Sequence, residues 1–267
     1  MKIEFISKEN GAATLLLKET NPTEMNMLRR LMVNEVPTLA MEDITIIKNN
    51  SALYDEVLAH RLGLIVLKTD LESYDLPAEC KGKKKGEAVC TKENCPHHTV
   101  LLKLKATGPK SVYAEEIESK DKEVKPIHPK TLIVKLLKKQ AIEIEATAVM
   151  GQGKDHMKFS PGLVYYKGYP KIKIGDIKNA AAVEASCPTK VYEVKNDKLK
   201  IADEKRCILC KACVDVSENK IEVQGSNEEF MLTIEPWGQL TPGEMLLKAI
   251  DVMDSKLDEF ESLIKKI

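Results

Sequence analysis

Residues 28–67 read LRRLMVNEVPTLAMEDITIIKNNSALYDEVLAHRLGLIVL, and their pattern decides the architecture. The stretch opens at the end of an amphipathic helix and passes Val36-Pro37. It then runs through an apolar strand, Leu39 to Ile47, and enters a second helical pattern at Tyr54. Upstream the first helix has a clean start. Asn21 is placed to cap it, Pro22 suits a first helical position whose N–H would have no partner, and Glu24 stands three residues past the cap. Met25, Leu28 and Met32 repeat at helical spacing with Leu31 beside them, and Pro37 ends the run. Arg29 and Arg30 are neighbours, so they diverge by about 100° around the helix. By residue type alone they are solvated surface arginines. Nothing in the stretch looks like a catalytic apparatus.

The Arg29-Arg30 pair, the VPTLAMED turn (36–43) and the LYDEVLAHRLGLI run (53–65) resemble one family. It is that of the assembly-platform subunits of multisubunit RNA polymerases. The family holds the D-type subunits of the archaeal enzymes, the N-terminal domain of the bacterial alpha subunit and the eukaryotic third-largest subunit. The archaeal branch is the nearest, and the likeness recurs at the C-terminus. The chain departs from the usual family pattern at Val66, where proline is common. The resemblance implies a non-catalytic subunit of a DNA-directed RNA polymerase. It implies contact of Arg29 and Arg30 with the large catalytic subunits, a heterodimer with the smaller subunit L, and a platform completed by the small subunits N and P. The active site, with its Asp triad, would lie on another chain, and no DxDxD-like run occurs here.

The 267 residues can bury a good core in one or two domains. With 41 basic and 41 acidic residues the net charge is zero, which argues against strong direct contact with nucleic acid. No run approaches the ~18 apolar residues of a membrane helix, and the N-terminus shows no signal segment. The expectation is a cytoplasmic protein.

Ile3 and Phe5 alternate with charged residues and Ala13–Leu17 is strand-like, predicting a hairpin that turns at Asn10-Gly11. From about 46 to 165 the pattern is mostly β. Val100, Leu102 and Leu104 run into alternation with the lysines at 103 and 105, and Ile142, Ile144, Ala146 and Ala148 alternate with Glu143, Glu145 and Thr147, which reads as two half-buried strands. Lys81–Gly86 (KGKKKG) reads as a solvated loop. Gly151-x-Gly153-Lys154 is no phosphate loop, because no helix pattern follows it, and His156 reads as structural.

The seven cysteines fall into two groups, and in a reducing compartment clustered thiols point to metal. Cys80, Cys90 and Cys95, with His97 and His98 beside them, are compatible with zinc, which takes four S or N ligands at tetrahedral corners. The set nearest to completion is Cys80, Cys90, Cys95 and His98, and free or oxidised thiols in a loop are the alternative. Cys207, Cys210 and Cys213 form C-x2-C-x2-C, which wraps one loop around three corners of an iron–sulfur cube. In bacterial ferredoxins that run continues x3-C-P, and the last cysteine ligates the other cluster. Here position 217 is Ser, but Cys187-Pro188 stands upstream. Counting back from Cys187 by the same spacing meets Val183, Ala180 and Ile177, none of them a ligand. The two absences agree with a two-cluster ferredoxin pattern that has lost one cluster. Cys187, Cys207, Cys210 and Cys213 are then the full set for a [4Fe–4S] cluster. A [3Fe–4S] form or zinc on the same thiolates are the alternatives. The hairpin between them turns at Asn196-Asp197. A cluster in a chain with no flavin or nicotinamide fingerprint suggests a structural or redox-sensing role. A ferredoxin-like electron carrier or oxidoreductase subunit is the competing function.

Ile221 and Val223, then Phe230, Leu232 and Ile234, predict two strands around Gly225. Thr241-Pro242-Gly243-Glu244 is a capping box. In the helix that follows, Leu246, Ile250, Met253, Leu257, Phe260, Ile264 and Ile267 step by 4, 3, 4, 3, 4, 3. So regular a heptad seam predicts a partner helix; packing on its own sheet is the alternative. By the resemblance this helix and the one at 21–34 build the pairing with subunit L. The expected fold is α+β. An alpha-subunit-like dimerisation domain (1–45 and 222–267) carries an inserted β-rich domain (46–165) and an inserted ferredoxin-like iron–sulfur domain (166–221).

Overall fold

The computed structural model describes residues 1–9, 11–82, 84, 89–90 and 95–266. It is a mixed α and β chain in two compact units. Met1–Arg29 joins Val164–Ile234 in the first, and Arg30–Leu163 joins Glu235–Ile267 in the second. In chain order the elements begin with β1 (Lys2–Glu9), β2 (Ala12–Lys18), α1 (Pro22–Asn34), β3 (Pro37–Asn49) and α2 (Asp55–Gly63). Next come β4 (Thr99–Thr107), β5 (Lys110–Tyr113), β6 (Glu118–Ser119), β7 (Leu132–Leu136), β8 (Ala141–Gln152) and β9 (Gly162–Ile174). The last are α3 (Ala180–Ser186), β10 (Tyr192–Lys195), β11 (Lys198–Ile201), α4 (Ala212–Val216), β12 (Ile221–Pro236) and α5 (Pro242–Ile264).

The first unit rests on an antiparallel sheet in the order β1-β2-β12-β9. β1 and β2 form the predicted hairpin, with Gly11 at φ 86°; Asn10 lies outside the described residues. The two strands expected around Gly225 are one continuous strand, β12. Its far half pairs with β2 from Glu229↔Lys18 to Ile234↔Ala13. The Ser226 hydroxyl accepts the Glu228 and Glu229 amides locally (3.3 and 3.1 Å), a local irregularity after which the chain runs on in the same strand. A Cβ on Gly168 would meet the Ser226 carbonyl at 2.6 Å, so the neighbouring strand passes this point backbone to backbone. α1 starts as its sequence indicates, with the Glu24 amide on Asn21 Oδ1 at 3.0 Å.

In the second unit the sheet order is β3-β8-β4-β6, with β5-β7 as a separate pair. The alternation read from the sequence becomes its core. Val100, Leu102 and Leu104 on β4 and Ile142, Ile144, Ala146 and Ala148 on β8 are buried. With them lie Leu39 and Met41 of β3 and Leu58 and Leu62 of α2. At Val66, where the sequence departs from the expected proline, the carbonyl accepts the Ile127 amide at 2.9 Å. The glycines at 151 and 153 serve packing. A Cβ at 151 would strike the Phe159 ring at 2.8 Å, and one at 153 the Val33 carbonyl at 2.2 Å. His156 Nδ1 accepts the Lys158 amide, the structural role expected of it.

α5 begins at the capping box, where the Thr241 amide reaches Glu244 and the Glu244 amide reaches Thr241 Oγ1. Lys256 on α5 bonds Glu35 at 2.9 Å, and Glu35 also takes Lys154 at 3.0 Å. Partial burial would raise the Glu35 carboxyl, but the hydrogen bonds from these two lysines outweigh it and hold the group below the usual carboxylate range.

Candidate metal centres

Cys80, Cys90, Cys95 and His98 come together in the second unit. Their positions follow from short-range bonds. The chain turns at 76–79 with the Glu79 amide on the Leu76 carbonyl, and the Cys90 amide returns to Pro77 at 2.8 Å. The His98 and Thr99 amides both bond the Cys95 carbonyl (3.2 and 2.9 Å), and the Met150 amide bonds the His98 carbonyl at 3.1 Å. His98 therefore sits at the entry of β4, tied to β8, so one ligand is fixed to the sheet. Of the two adjacent histidines, His98 rather than His97 enters the group.

All four ligand atoms lie within 4.8 Å of one another, and all four residues are buried. Cys80 Sγ is 3.6 Å from Cys95 Sγ and 3.3 Å from His98 Nδ1. Metal–sulfur bonds of ~2.3 Å at tetrahedral angles put two thiolates roughly 3.8 Å apart, so the spacing suits a single ion. Burial pushes the Cys80 thiol up to about 11 and lowers His98, which leaves the imidazole neutral as a metal ligand requires. Gly82 closes one side. Its amide donates to Cys80 Sγ at 3.3 Å, and a Cβ there would stand 3.0 Å from Cys95 Sγ and 3.5 Å from Cys80 Sγ. The solvated-loop expectation for 81–86 therefore holds only in part. Lys81 is exposed, but Gly82 belongs to the site, and positions 83, 85 and 86 lie outside the described residues.

The second thiol set lies in the first unit. Cys187 caps the end of α3, Cys207 follows a single turn at Glu204–Arg206, Cys210 is exposed and Cys213 lies in α4. Cys207 and Cys213 are buried with Val183, Val191, Tyr192, Ile221 and Val223, and Cys187 packs against that cluster. Leu209 and Lys211 take left-handed φ of 60° and 62°. For side-chain-bearing residues this costs about 1–3 kcal/mol each and is kept where a loop must wrap something. Lys167 Nζ holds the loop from behind through the Lys205 and Cys207 carbonyls at 2.8 and 2.6 Å.

Donors point at the sulfurs. The Val191 amide reaches Cys187 Sγ at 3.3 Å, the Leu209 amide reaches Cys207 Sγ at 3.4 Å, and the Tyr192 hydroxyl reaches Cys213 Sγ at 3.2 Å. Burial would raise the Cys187 thiol, but the Val191 amide, the Thr189 hydroxyl and the neighbouring amides bring it below its ordinary value. Burial raises Cys207. Among the described residues, no three of these four sulfurs meet within the 4.8 Å span that unites the first set. Positions 177, 180, 183 and 217 serve packing and turn formation. Val183 and Ala180 are buried apolar residues, and Ile177 packs beside them. Ser217 bonds the Val214 carbonyl and takes the Ile221 amide.

The residues expected at partner surfaces are also placed. Arg29 is half-buried and bonds Asn26 Oδ1 through Nε and an Nη at 3.2 and 2.9 Å. Arg30 is exposed, with no ion pair among the described residues. On α5 the fully buried positions are Met245 and Ala249, one residue before the first two seam positions. Leu246, Ile250 and Met253 are half-buried, and Leu257, Phe260 and Ile264 are exposed. Ile267 lies outside the described residues. The stripe facing the helix's own unit is thus short and offset from the seam.

Residues 44–162 match the family described as the RNA polymerase Rpb3/RpoA insert domain. Along its whole length the chain is similar to proteins named DNA-directed RNA polymerase subunit Rpo3. It is 35% identical to that of Methanosarcina acetivorans, covering 100% of this chain and 99% of the relative. The chain belongs to the archaeal RNA polymerase Rpo3 family, the D-type subunits. The Rpo3 proteins of Methanosphaera stadtmanae and Archaeoglobus fulgidus are each 33% identical over all of this chain, covering 99% and 98% of their own lengths. Among the described residues no helix is long and apolar enough to cross a membrane.

Proposed function

We propose that this chain is a non-catalytic assembly-platform subunit of a cytoplasmic DNA-directed RNA polymerase. Its dimerisation elements, within 1–45 and 222–267, pair with a small L-type subunit. With the small subunits N and P the pair receives the large catalytic subunits, partly through Arg29 and Arg30. The observation that carries the pairing is the seam of α5, six residues at heptad spacing, three of them exposed beyond the last fully buried position. Seams of this kind are stable when a second helix covers them. Full-length likeness to Rpo3 proteins weighs against an independent electron carrier, which would have no use for the flanking units.

The Cys80, Cys90, Cys95 and His98 group would hold one zinc ion as a structural staple. Cys187, Cys207, Cys210 and Cys213 would hold a [4Fe–4S] cluster in a ferredoxin-like segment, residues 166–221. The C-x2-C-x2-C spacing, the left-handed loop and the N–H and O–H donors aimed at sulfur support that choice over a single ion. A cluster bound there would be cross-linked by the four cysteine thiolates and would supply a one-electron couple, and loss of one ligand would leave the three-iron form.

Co-expression with a small L-type subunit tests the platform. Leu257→Glu with Phe260→Glu should abolish co-elution on gel filtration and leave the circular dichroism of the chain unchanged. Arg29→Glu with Arg30→Glu should keep the pair and weaken capture of the large subunits. Normal pairing by the seam variant would remove the basis of the proposal.

A further inference from the structure

We propose that Tyr192 is the positioning residue of the iron–sulfur site, donating its hydroxyl hydrogen bond to the Cys213 sulfur and thereby raising the reduction potential of the cluster. This rests on the iron–sulfur reading of the four thiols. Tyr192 opens β10, is 3% exposed, and holds its oxygen 3.2 Å from Cys213 Sγ. Tyr192 shares its buried cluster with Cys207 and Cys213, and Cys187 packs against that cluster. A phenylalanine would fill the same space without burying a polar atom. A buried hydroxyl needs a partner, and this one has a sulfur.

The other strong donors to these sulfurs are backbone amides, set by the loop itself. Thr189 Oγ1 stands further off, 3.7 Å from Cys187 Sγ. Tyr192 is therefore the donor that sequence can vary without redrawing the loop. A phenol carries its proton at physiological pH, so the Tyr192 hydroxyl is a donor to Cys213 there. Reduction adds negative charge that spreads onto the thiolates. A fixed donor stabilises that state more than the oxidised one, and hydrogen bonds to sulfur together with solvent exposure set such potentials. The hairpin anchors the donor: β10 and β11 pair from Tyr192↔Ile201 to Lys195↔Lys198 around a turn with Asn196 and Asp197 at φ 53° and 58°.

The experiment uses the full chain purified without oxygen, with iron, sulfide and zinc measured before a redox titration followed by electron paramagnetic resonance. Tyr192→Phe should retain its iron and show a lower midpoint potential than the wild type. Site-specific 3-fluorotyrosine at 192, a stronger donor of nearly the same shape, should move the potential the opposite way. An iron-loaded Phe variant with the wild-type potential would overturn the role of Tyr192 and leave the cluster assignment standing. If the Phe variant loses its iron, the fluorinated protein decides, and an unchanged potential there overturns the proposal. Zinc in place of iron in the wild type would instead overturn the cluster reading, and this inference with it.

Discussion

In the 80–98 segment four ligands from a loosely spaced loop meet within the reach of one ion, while in 187–213 three of the four thiols stand at the short spacing C-x2-C-x2-C on a loop with two left-handed residues. The surroundings differ as well. The first group hangs from a unit whose hydrocarbon core runs through β3, β4, β8 and α2. In the second, seven residues form the buried cluster and two of them are the cysteines themselves. A single ion draws its ligand atoms together, whereas in a four-iron cube each cysteine sulfur binds a different iron. The share of the core made of ligands speaks to what metal loss does. Where thiols are a large part of the core, binding energy is folding energy for the segment; where they decorate a finished core, the effect is local.

The largest expected effect follows from the second site. Cys207→Ser with Cys210→Ser should abolish the broad visible absorption of anaerobically purified protein and open residues 166–221 to protease. Pairing with an L-type subunit should survive, because α1 and α5 both lie outside residues 166–221. A protease pattern identical to wild type would mean that metal does not hold this segment. Loss of the pair would mean that the two regions are not independent.

Cys95→Ser should act more narrowly. Cys95 is fully buried, and its carbonyl organises the start of β4. The variant should lose its one zinc per chain by elemental analysis, and cleavage should be confined to 76–98 while the β3-β8-β4 core keeps its cooperative melting. Zinc bound at full occupancy in this variant would break the four-ligand assignment.

Metal-free protein should separate the two sets chemically. The thiolate is the species that alkylates. Cys80, at about 11 and 4% exposed, holds almost none of it at pH 8, whereas Cys187 is half-buried and more acidic than an ordinary thiol. Mass spectrometry after iodoacetamide should show Cys187 modified at least about a hundredfold faster than Cys80. Equal rates would mean that the buried pocket collapses without its ion.

The sequence exposed the second set more readily than the first, for a physical reason. A cube wrapped by one loop demands fixed short spacing, so C-x2-C-x2-C is readable on its own, as are the Asn196-Asp197 turn and the period-two strands. The 80–98 ligands are gathered by the fold, through the 76–79 turn and the tie of His98 to β8, and such tertiary bonds leave no periodic trace. Gly225 misled in the opposite direction. Glycine beside serine and asparagine resembles a turn, yet here β12 runs straight through, and the glycine that the close approach of two strands requires is Gly168, opposite Ser226. On α5 the seam is plain in the sequence, but the short inward stripe of Met245 and Ala249 is not, because it depends on which face the second unit covers.

The smallest predicted effect falls on Gly82, and it tests how closely the first site is shaped to one ion. Gly82 lies amid lysines, where composition suggests only solvent, and its φ is not one that demands glycine. What excludes a side chain is the neighbouring sulfur. An alanine methyl would stand 3.0 Å from Cys95 Sγ, 3.5 Å from Cys80 Sγ and 3.5 Å from His97 Cδ2. The loop can yield by a few tenths of an ångström, so the fold should persist, but the sulfurs would shift relative to the tetrahedral spacing and the Gly82 amide would lose its alignment on Cys80. Outer-sphere changes of this kind lower metal affinity about 10–100-fold. With contact on one side only, Gly82→Ala should fall near about tenfold in competition with a chromophoric chelator. Thermal stability of the zinc-loaded chain should stay close to wild type. Unchanged affinity would show that the four ligands hold their ion without help from the loop backbone, and the contrast with the loop-wrapped second site would then be sharper still.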